Sequence, residues 1–396
     1  MKRQITLILL LSATAAFATD IEGVQPAALD QPRVHMHLRR EAKGKPLTGG
    51  KDAENAINIQ AFLDTGASGI LLSKTTADAL GVKVTKAGDK PIVFHDVGVA
   101  GGDQFNVSEP LYFFIAPFGK TGEPADADGY PLSIGPARAQ LGVSAGMMDM
   151  LTGGLDVVGM PAIKGHVMVL DPKPVDTFGD TMRAVLLSQN EKQKIPKTDR
   201  HIAVTFTSFE RFTRTEPANA KGPTLATNPM IGGVVVTHNG KRNVGNWLFD
   251  TGAAASIISK DQARKLGVTY DEDAAEPKLK GAPDNEQFSI TIGGIGGTHK
   301  SAGFFLDTLT LPTREKDPIV YRKAPVLVSD ITVIDEKTKE KLTLDGVFGM
   351  NYLVGSAHVS EAGLLPDIKN LTAGPFDWIV FDEPAAMIGV KLKSQK

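Results

Sequence analysis

Phe62-Leu63-Asp64-Thr65-Gly66-Ala67 and its near copy Leu248-Phe249-Asp250-Thr251-Gly252-Ala253 decide the fold of this chain of 396 residues. In each stretch an apolar run leads into an acid, a hydroxyl residue and a glycine. The acid recurs 186 residues later, and so does the Leu-Gly-Val that follows it at 80–82 and 266–268. Two copies that align without a gap form an internal repeat. We therefore predict two similar lobes, each delivering one carboxylate to a shared site.

The bulk composition favours a β-rich chain and excludes some chemistries. Forty-one glycines and 24 prolines, many of them between short apolar runs, predict an all-β fold with short helices. A net charge of −2 gives no reason to expect a nucleic-acid partner. The absence of cysteine rules out disulfides, a thiolate nucleophile and cysteine–metal sites. We predict no metal and no cofactor.

The N-terminus has the pattern of a signal peptide over residues 1–18. Lys2 and Arg3 precede an apolar run at 5–11, and Ala16-Phe17-Ala18 resembles a cleavage site. The run is too short for a permanent membrane anchor, and the alternative is a buried first strand. We predict export to a bacterial periplasm or to the exterior, with no stable membrane anchor.

The remaining chain divides into an N-terminal lobe at 19–172, a connector at 173–200 and a C-terminal lobe at 201–396. The connector contains a helix-like patch at 181–188, and 119–153 is predicted to be irregular. Each acidic turn is followed by a strand and a short helix. Ser73 and Ser259 are predicted N-caps, and Gln262 completes a capping-box pattern at the second. Gly81 and Gly267 stand where the helices should end.

Alternation over residues 33–40 predicts a half-buried strand with Val34, Met36 and Leu38 on one face. His35 and His37 then share the other face. Two such histidines can both bind a metal, but no third ligand is evident nearby. We interpret them as a solvated pair.

Two glycine-rich segments, Val97–Gly102 and Ile292–Gly297, occupy matching places in the two lobes. A phosphate-binding loop would need a helix directly afterwards, but 103–111 and 298–306 have strand patterns. We predict mobile hairpin tips that cover a substrate. Their substrate-contacting residues are predicted to be Gly98, Val99, Gly101, Gly102, Gly293, Ile295, Gly296 and Gly297.

A third paired feature lies further along each lobe. Val157-Val158-Gly159-Met160 and Val347-Phe348-Gly349-Met350 share two apolar residues, a glycine and a methionine at an offset of 190. Each is followed by an apolar strand that closes on an acid, at 167–171 and at 378–382.

Two carboxylates in contact share one proton, because both cannot easily ionise. Such a pair can activate a water for attack on a carbonyl and later protonate the leaving amine. Gly66 and Gly252 permit the close approach of the two loops. The hydroxyls of Thr65 and Thr251 can hydrogen-bond across the axis between the lobes.

Together these motifs resemble the active-site signature of aspartic proteases. The form with alanine after the glycine resembles the motif of retropepsins and bacterial retropepsin-like proteins. The glycine-rich tips resemble the flaps of that group. The apolar-apolar-Gly segments resemble the strands that cross behind each active-site loop in the family. The resemblance covers most of 33–172 and 201–390. It implies a pepsin/retropepsin-like acid protease fold, with two pseudo-symmetric lobes and the site between them. It also implies an endopeptidase with catalytic Asp64 and Asp250, acting on an extended polypeptide.

Three departures modify that expectation. Ala67 and Ala253 lack the hydroxyl that pepsins have there, so the pair should titrate higher and the pH optimum should be milder. Neither tip carries a tyrosine. Ser68 is matched by Ala254, so the halves are not equivalent.

Two other arrangements remain open. One is a catalytically weak peptide-binding protein of the same fold. The other is a dimer in which each lobe pairs with a lobe of another chain. Pairing within one chain, and hence a monomer, is favoured because the connector is short and the effective concentration of the second lobe is high.

Overall fold

The computed structural model describes residues 18–49, 57–98, 101–118, 129–144, 155–172, 182–295, 297–335, 338–359 and 366–394. The predicted signal peptide lies outside this part except for its last residue, and Val99 and Gly296 of the tips lie outside it as well. Within the described residues the chain is mainly β with short helices, in agreement with the all-β prediction.

The strands follow one another closely along the chain. In the first half they are β1 (Thr19–Ile21), β2 (Ala27–Ala28), β3 (Arg33–Arg39), β4 (Ile59–Leu63), β5 (Ile70–Leu72), β6 (Lys86–Ala87), β7 (Lys90–Pro91), β8 (Val93–Gly98), β9 (Gly101–Val107), β10 (Leu111–Pro117), β11 (Leu132–Ala137), β12 (Gln140–Gly142), β13 (Val157–Val158), β14 (Val167–Asp171) and β15 (Arg183–Leu187). In the second half they are β16 (Arg200–Thr207), β17 (Arg214–Glu216), β18 (Asn228–His238), β19 (Lys241–Phe249), β20 (Ile257–Ile258), β21 (Thr269–Tyr270), β22 (Leu279–Lys280), β23 (Gln287–Gly294), β24 (Gly297–Leu311), β25 (Ile319–Val328), β26 (Thr332–Ile334), β27 (Lys341–Thr343), β28 (Gly346–Phe348), β29 (Ser356–Val359), β30 (Pro366–Thr372), β31 (Phe376–Asp382) and β32 (Met387–Leu392).

The α-helices of the described part are short: α1 (Lys74–Ala79), α2 (Met160–Ile163) and α3 (Lys260–Lys265). The hydroxyl oxygen of Ser73 accepts from Thr76 N at 3.1 Å, and that of Ser259 accepts from Gln262 N at 3.2 Å, so both predicted N-caps are confirmed. The capping box at α3 is wrong in its second half. The side chain of Gln262 donates to Asp345 at 2.8 Å instead of reaching back to the cap.

The two large sheets contain the same seven-strand pattern. One reads β3-β4-β13-β5-β12-β9-β8, and the other reads β18-β19-β28-β20-β25-β24-β23. The directions match as well: β13 runs parallel to β4 as β28 does to β19, and β12 runs parallel to β5 as β25 does to β20. The sequence repeat is therefore expressed as a repeated sheet topology.

Strands from the ends of both halves join in one sheet. β14 pairs with β31 and β15, and β32 pairs with β31 and β16. The helix-like patch predicted at 181–188 is wrong, because Arg183–Leu187 is strand β15. Its short apolar run fits the period of a helix as well as that of a strand, and the segment becomes a strand because it pairs with the edge of β14. Of the segment 119–153, predicted to be irregular, only 129–144 lies within the described residues, and there the prediction is wrong because β11 and β12 lie in it.

His35 and His37 are not solvated, which corrects the prediction from alternation. Each has only 1% of its surface exposed. The ring of His35 stacks on Phe118, and that of His37 stacks on Phe114. Both faces of β3 are therefore covered, one by the core and one by aromatic side chains from β10 and the residues after it.

Buried residues of both halves share the main core cluster, including Leu63, Phe113, Trp247, Phe249 and Phe381. In the described part of the chain, no helix combines the length and apolar character needed to cross a bilayer.

Candidate active site

Each acidic loop begins where a central strand of its sheet ends. Asp64 follows β4 and donates its N–H to the carbonyl of Val158 at 3.0 Å, while Asp250 follows β19 and donates to Phe348 at 3.1 Å. The N–H of the methionine after each apolar-apolar-Gly segment bonds back to the loop, Met160 to Ala67 and Met350 to Ala253, both at 2.9 Å. Strands β13 and β28 thus hold the two loops from behind in the same way.

The two threonines join the loops across the boundary between the halves. Thr65 N donates to Thr251 Oγ1 at 3.1 Å, and Thr251 N donates to Thr65 Oγ1 at 3.0 Å. Each hydroxyl in turn donates to a carbonyl of the opposite half at 2.6 Å, Thr65 to Phe249 and Thr251 to Leu63. Both threonines are fully buried, so all of these polar groups depend on one another for hydrogen bonds.

This network brings the two carboxyl groups together. A Cβ atom built on Gly66 would lie 2.6 Å from both carboxylate oxygens of Asp250, and one on Gly252 would lie 2.7 Å from Asp64 Oδ1. Each carboxyl therefore lies against the glycine of the opposite loop, where a side chain has no room. Within its own loop each Oδ1 accepts two backbone N–H groups, from Gly66 and Ala67 at Asp64 and from Gly252 and Ala253 at Asp250.

Both acids are half-buried. Loss of hydrating water raises the pKa of both carboxyls, since burial disfavours the charged form. Burial, and after it the negative charge of Asp64, raise the pKa of Asp250 well above the ordinary value. At Asp64 the hydrogen bonds from Asp250 and from loop amides oppose the rise in pKa. Two carboxyls this close share one proton and titrate as a pair.

Two side-chain amides that the sequence analysis did not predict hold the two loops by hydrogen bonds to their carbonyls, and we term these contacts the clasp. Asn228 Nδ2 donates to the carbonyls of Thr65 at 3.0 Å and Gly66 at 2.9 Å. Gln31 Nε2 donates to the carbonyl of Gly252. Asn228 opens β18 in the second half and holds the first loop, whereas Gln31 precedes β3 in the first half and holds the second loop. Each amide therefore binds the loop of the opposite half, as the hydroxyl of each threonine does.

A sequence signal for this clasp exists. Gln31-Pro32 comes just before β3 and Asn228-Pro229 opens β18, so each amide and proline stand at the start of the strand that begins the seven-strand pattern. Their offset is 197 rather than 186, because the two strands that precede the acid are joined by a longer connection in the first half. A gap-free alignment on the acids therefore does not superpose them.

The glycine-rich segments form the ends of two antiparallel hairpins, β8–β9 and β23–β24. Gly98 pairs with Gly101, and Gly294 pairs with Gly297. The two hairpins meet: a Cβ atom built on Gly98 would lie 2.9 Å from the carbonyl oxygen of Ile295. Gly101, Gly102, Gly293 and Gly297 are exposed and lie away from this contact.

Each hairpin also packs on the strand that follows its own loop. Phe94 and Phe105 of the first hairpin form an apolar cluster with Leu71 of β5, and Ile295 of the other hairpin packs against it. Phe288 and Ile290 of the second hairpin share a cluster with Ile257 of β20, against which Ala253 of the loop packs. The hairpins therefore face the two loops.

Comparisons with known proteins add little. No protein-family model matches the chain, and no curated protein matches it. Among solved structures, a crystal structure of basic 7S globulin from soybean is similar with a TM-score of 0.41 and 8% identity, covering 92% of this chain and 97% of that chain. This likeness is too weak to bear on fold or function.

Proposed function

We propose that the chain is an aspartic endopeptidase of the pepsin/retropepsin-like fold, with two pseudo-symmetric β lobes and the active site between them. The observation that carries this proposal is the position of the two carboxyls, each set against the glycine of the other loop and hydrogen-bonded to its partner. The repeated seven-strand order supports the two-lobe fold, because it gives each carboxylate the same supporting strands. The threonine network supports pairing of the two halves within one chain.

The proposed mechanism uses the single proton that Asp64 and Asp250 share. The ionised carboxylate takes a proton from a water held between the two groups as that water attacks the peptide carbonyl. The protonated carboxyl donates a hydrogen bond to the developing oxyanion and stabilises it. The proton gained by the first carboxylate then passes to the leaving amine, which restores the starting state of the pair.

The substrate is proposed to be a polypeptide held in extended form beneath the two hairpins, paired to strand edges by backbone hydrogen bonds. The N-terminal pattern supports export, and we propose the periplasm or the extracellular space as the site of action.

A proteome-derived peptide library tests the activity directly. The protein is incubated with the library at several pH values, with and without a transition-state-analogue inhibitor of aspartic proteases, and products are identified by mass spectrometry. We expect inhibitor-sensitive cleavage that falls by at least about 1,000-fold in Asp64→Asn and in Asp250→Asn, since each removes one member of the acid–base pair. Cleavage that is unchanged in both variants would refute the assignment.

The same library also tests the binding alternative. Saturable peptide binding with no cleavage at any pH would favour a peptide-binding protein of this fold. A specific activity that rises with protein concentration, together with a dimer in size-exclusion chromatography, would favour pairing between chains.

A further inference from the structure

The first hairpin carries a strand that, among the described residues, has no counterpart on the second hairpin. Strand β17 pairs antiparallel with the outer edge of β8, with Arg214 opposite His95 and Glu216 opposite Val93. Glu216 also forms an ion pair with Arg214 at 3.0 Å, and its carboxylate lies 3.4 Å from Nε2 of His95. An insertion between β16 and β18 has thus crossed to the first half and covered the edge of its hairpin.

The residues after β17 stay on the first half. Thr224 N donates to the carbonyl of Arg138 at 2.9 Å, and Arg138 N donates to Thr224 Oγ1 at 3.0 Å. Ala226 N donates to the carbonyl of Ser68, in the first loop, at 2.8 Å. The segment 214–226, which we term the strap, is therefore fixed at its start on the first hairpin and at its end by Thr224 and Ala226, the last of which bonds to the acidic loop.

Leu225 fills the space between hairpin and loop. Its side chain packs against the apolar cluster of the first hairpin, which includes Phe94 and Phe105. Its Cδ2 also lies 3.3 Å from where a Cβ atom on Gly69 would stand, one residue beyond Ser68. Ala220 of the strap joins the same cluster. The chain itself thus fills the space between the first hairpin and the residues that follow the first loop.

The second hairpin differs. Strand β23 ends its sheet, and among the described residues no strand pairs with its outer edge. An unpaired edge presents the row of N–H and C=O groups that an added peptide strand needs. The two sides of the site therefore offer unequal surfaces to an extended substrate.

We propose that the strap closes the peptide groove on the side of the first hairpin, so that an extended substrate is held along β23 and selected on one side of its scissile bond. This inference rests on the proposed peptidase function. It assigns a specificity-determining role to Leu225. It also predicts that, on the strap side, few substrate residues contact the protein and their identity matters little.

Two truncation series of one cleaved peptide test the inference. One series is shortened residue by residue from the N-terminus and the other from the C-terminus, and kcat/KM is measured for each member. We expect removal of residues beyond the second position to lower kcat/KM at least tenfold on one side and less than twofold on the other. An equal dependence on both sides would overturn the inference.

Strap variants show which side is closed. In Leu225→Ser, and in Ala226→Pro, which loses the N–H bonded to Ser68, peptides extended on the short side should gain at least threefold in kcat/KM. Peptides extended only on the other side should not change. The matched control is Lys221→Ala, an exposed side chain of the same strap, which should leave both series unchanged. If both strap variants fold, as judged by their thermal melting, and neither opens the short side, the strap does not set specificity.

Binding of the same peptides separates this inference from the peptidase proposal. Fluorescence anisotropy on Asp250→Asn protein reports the truncation dependence without cleavage. One-sided binding with no cleavage by the wild type would support the strap and contradict the peptidase, whereas cleavage with two-sided dependence would do the reverse.

Discussion

Asn228 donates a hydrogen bond from its side-chain Nδ2 to the carbonyl oxygen of Gly66, although the two residues belong to opposite halves of the molecule. The distance is 2.9 Å, and Asn228 is fully buried. Its Oδ1 accepts from the hydroxyl of Ser68 at 2.7 Å, so both ends of the amide bind the first loop. Position of the Asp64 carboxyl thus depends on a residue of the second half.

Replacement of Asn228 by alanine should lower kcat by about 100-fold with little change in KM, because a misplaced reacting group costs about this much in rate. The substitution should also shift the acid limb of the pH–rate profile. Asn228 bonds the carbonyl of Gly66, and the N–H of the same residue donates to the Asp64 carboxyl. Steady-state kinetics over a pH series measure both effects. Gln31→Ala should act similarly through Gly252, and Asn285→Ala, at an exposed asparagine, is the control. A loss of stability with normal kcat and pH profile would show that the amide is only structural.

Thr65→Val should destabilise the protein by about 2 kcal/mol, because it leaves the buried N–H of Thr251 and the carbonyl of Phe249 without their partners. Thr251→Val should behave alike, since its bonds are the mirror of these. Urea unfolding of each variant measures the change. Serine keeps the hydroxyl, so Thr65→Ser should recover most of the stability. Equal losses for valine and serine would mean that packing of the methyl group, not the hydrogen bonds, holds the halves together.

Some of the architecture follows directly from the sequence. The repeat from 64 to 82 and from 250 to 268 is free of gaps, and local signals such as Ser73 and Ser259 act within a few residues. These features are set by short-range geometry, so the caps and the strands around them could be predicted.

Other features depend on residues far away in the chain. His35 is buried because Phe118 stacks on it, and alternation within one strand carries no information about that cover. The strap is an insertion outside the repeat, and its position is set by the pairing of β17 with the edge of β8. Gln31 and Asn228 do not align when the two acids are superposed, because the connection between the two strands before the acid is longer in the first half. Long-range packing and unequal insertions thus account for what the sequence reasoning missed.

Ala67→Ser should move the acid limb of the pH–rate profile to lower pH. The proposed mechanism requires one ionised and one protonated carboxyl, so activity should rise as the pair loses its first proton and fall as it loses its second. Because burial raises both pKa values, the wild-type optimum should lie above that of a gastric-type enzyme. A serine hydroxyl near Asp64 would stabilise the ionised form and lower the pKa of that carboxyl. The control is Ala254→Ser, at the position that matches Ser68. A wild-type optimum well below about pH 4, the range of ordinary carboxyls, would contradict this account.

Acid should destabilise the folded protein through His37. Burial, and to a lesser degree the charge of Arg39, lower the pKa of His37 from 6.5 to about 4. Its ring lies between Phe114 and Tyr130, its Nε2 accepts from Arg39 Nε at 3.1 Å, and its Nδ1 finds no partner among the described residues. The folded state thus excludes the proton that the unfolded chain binds. Above about pH 6.5 the titration of His37 costs no stability, and the loss grows as the pH drops towards 4.

Replacement of His37 by phenylalanine removes this titration and keeps a ring in the stack. Urea unfolding at pH 7.5 and at pH 4.5 should show a smaller loss of stability on acidification in His37→Phe than in the wild type. His166→Gln, at a partly exposed histidine, should retain the wild-type loss. The same fall in stability in all three proteins would show that His37 is not the group responsible. In the proposed mechanism the carboxyl pair works while it holds one proton, and His37 destabilises the fold at low pH, so we expect activity to be confined to a range milder than that of a gastric enzyme.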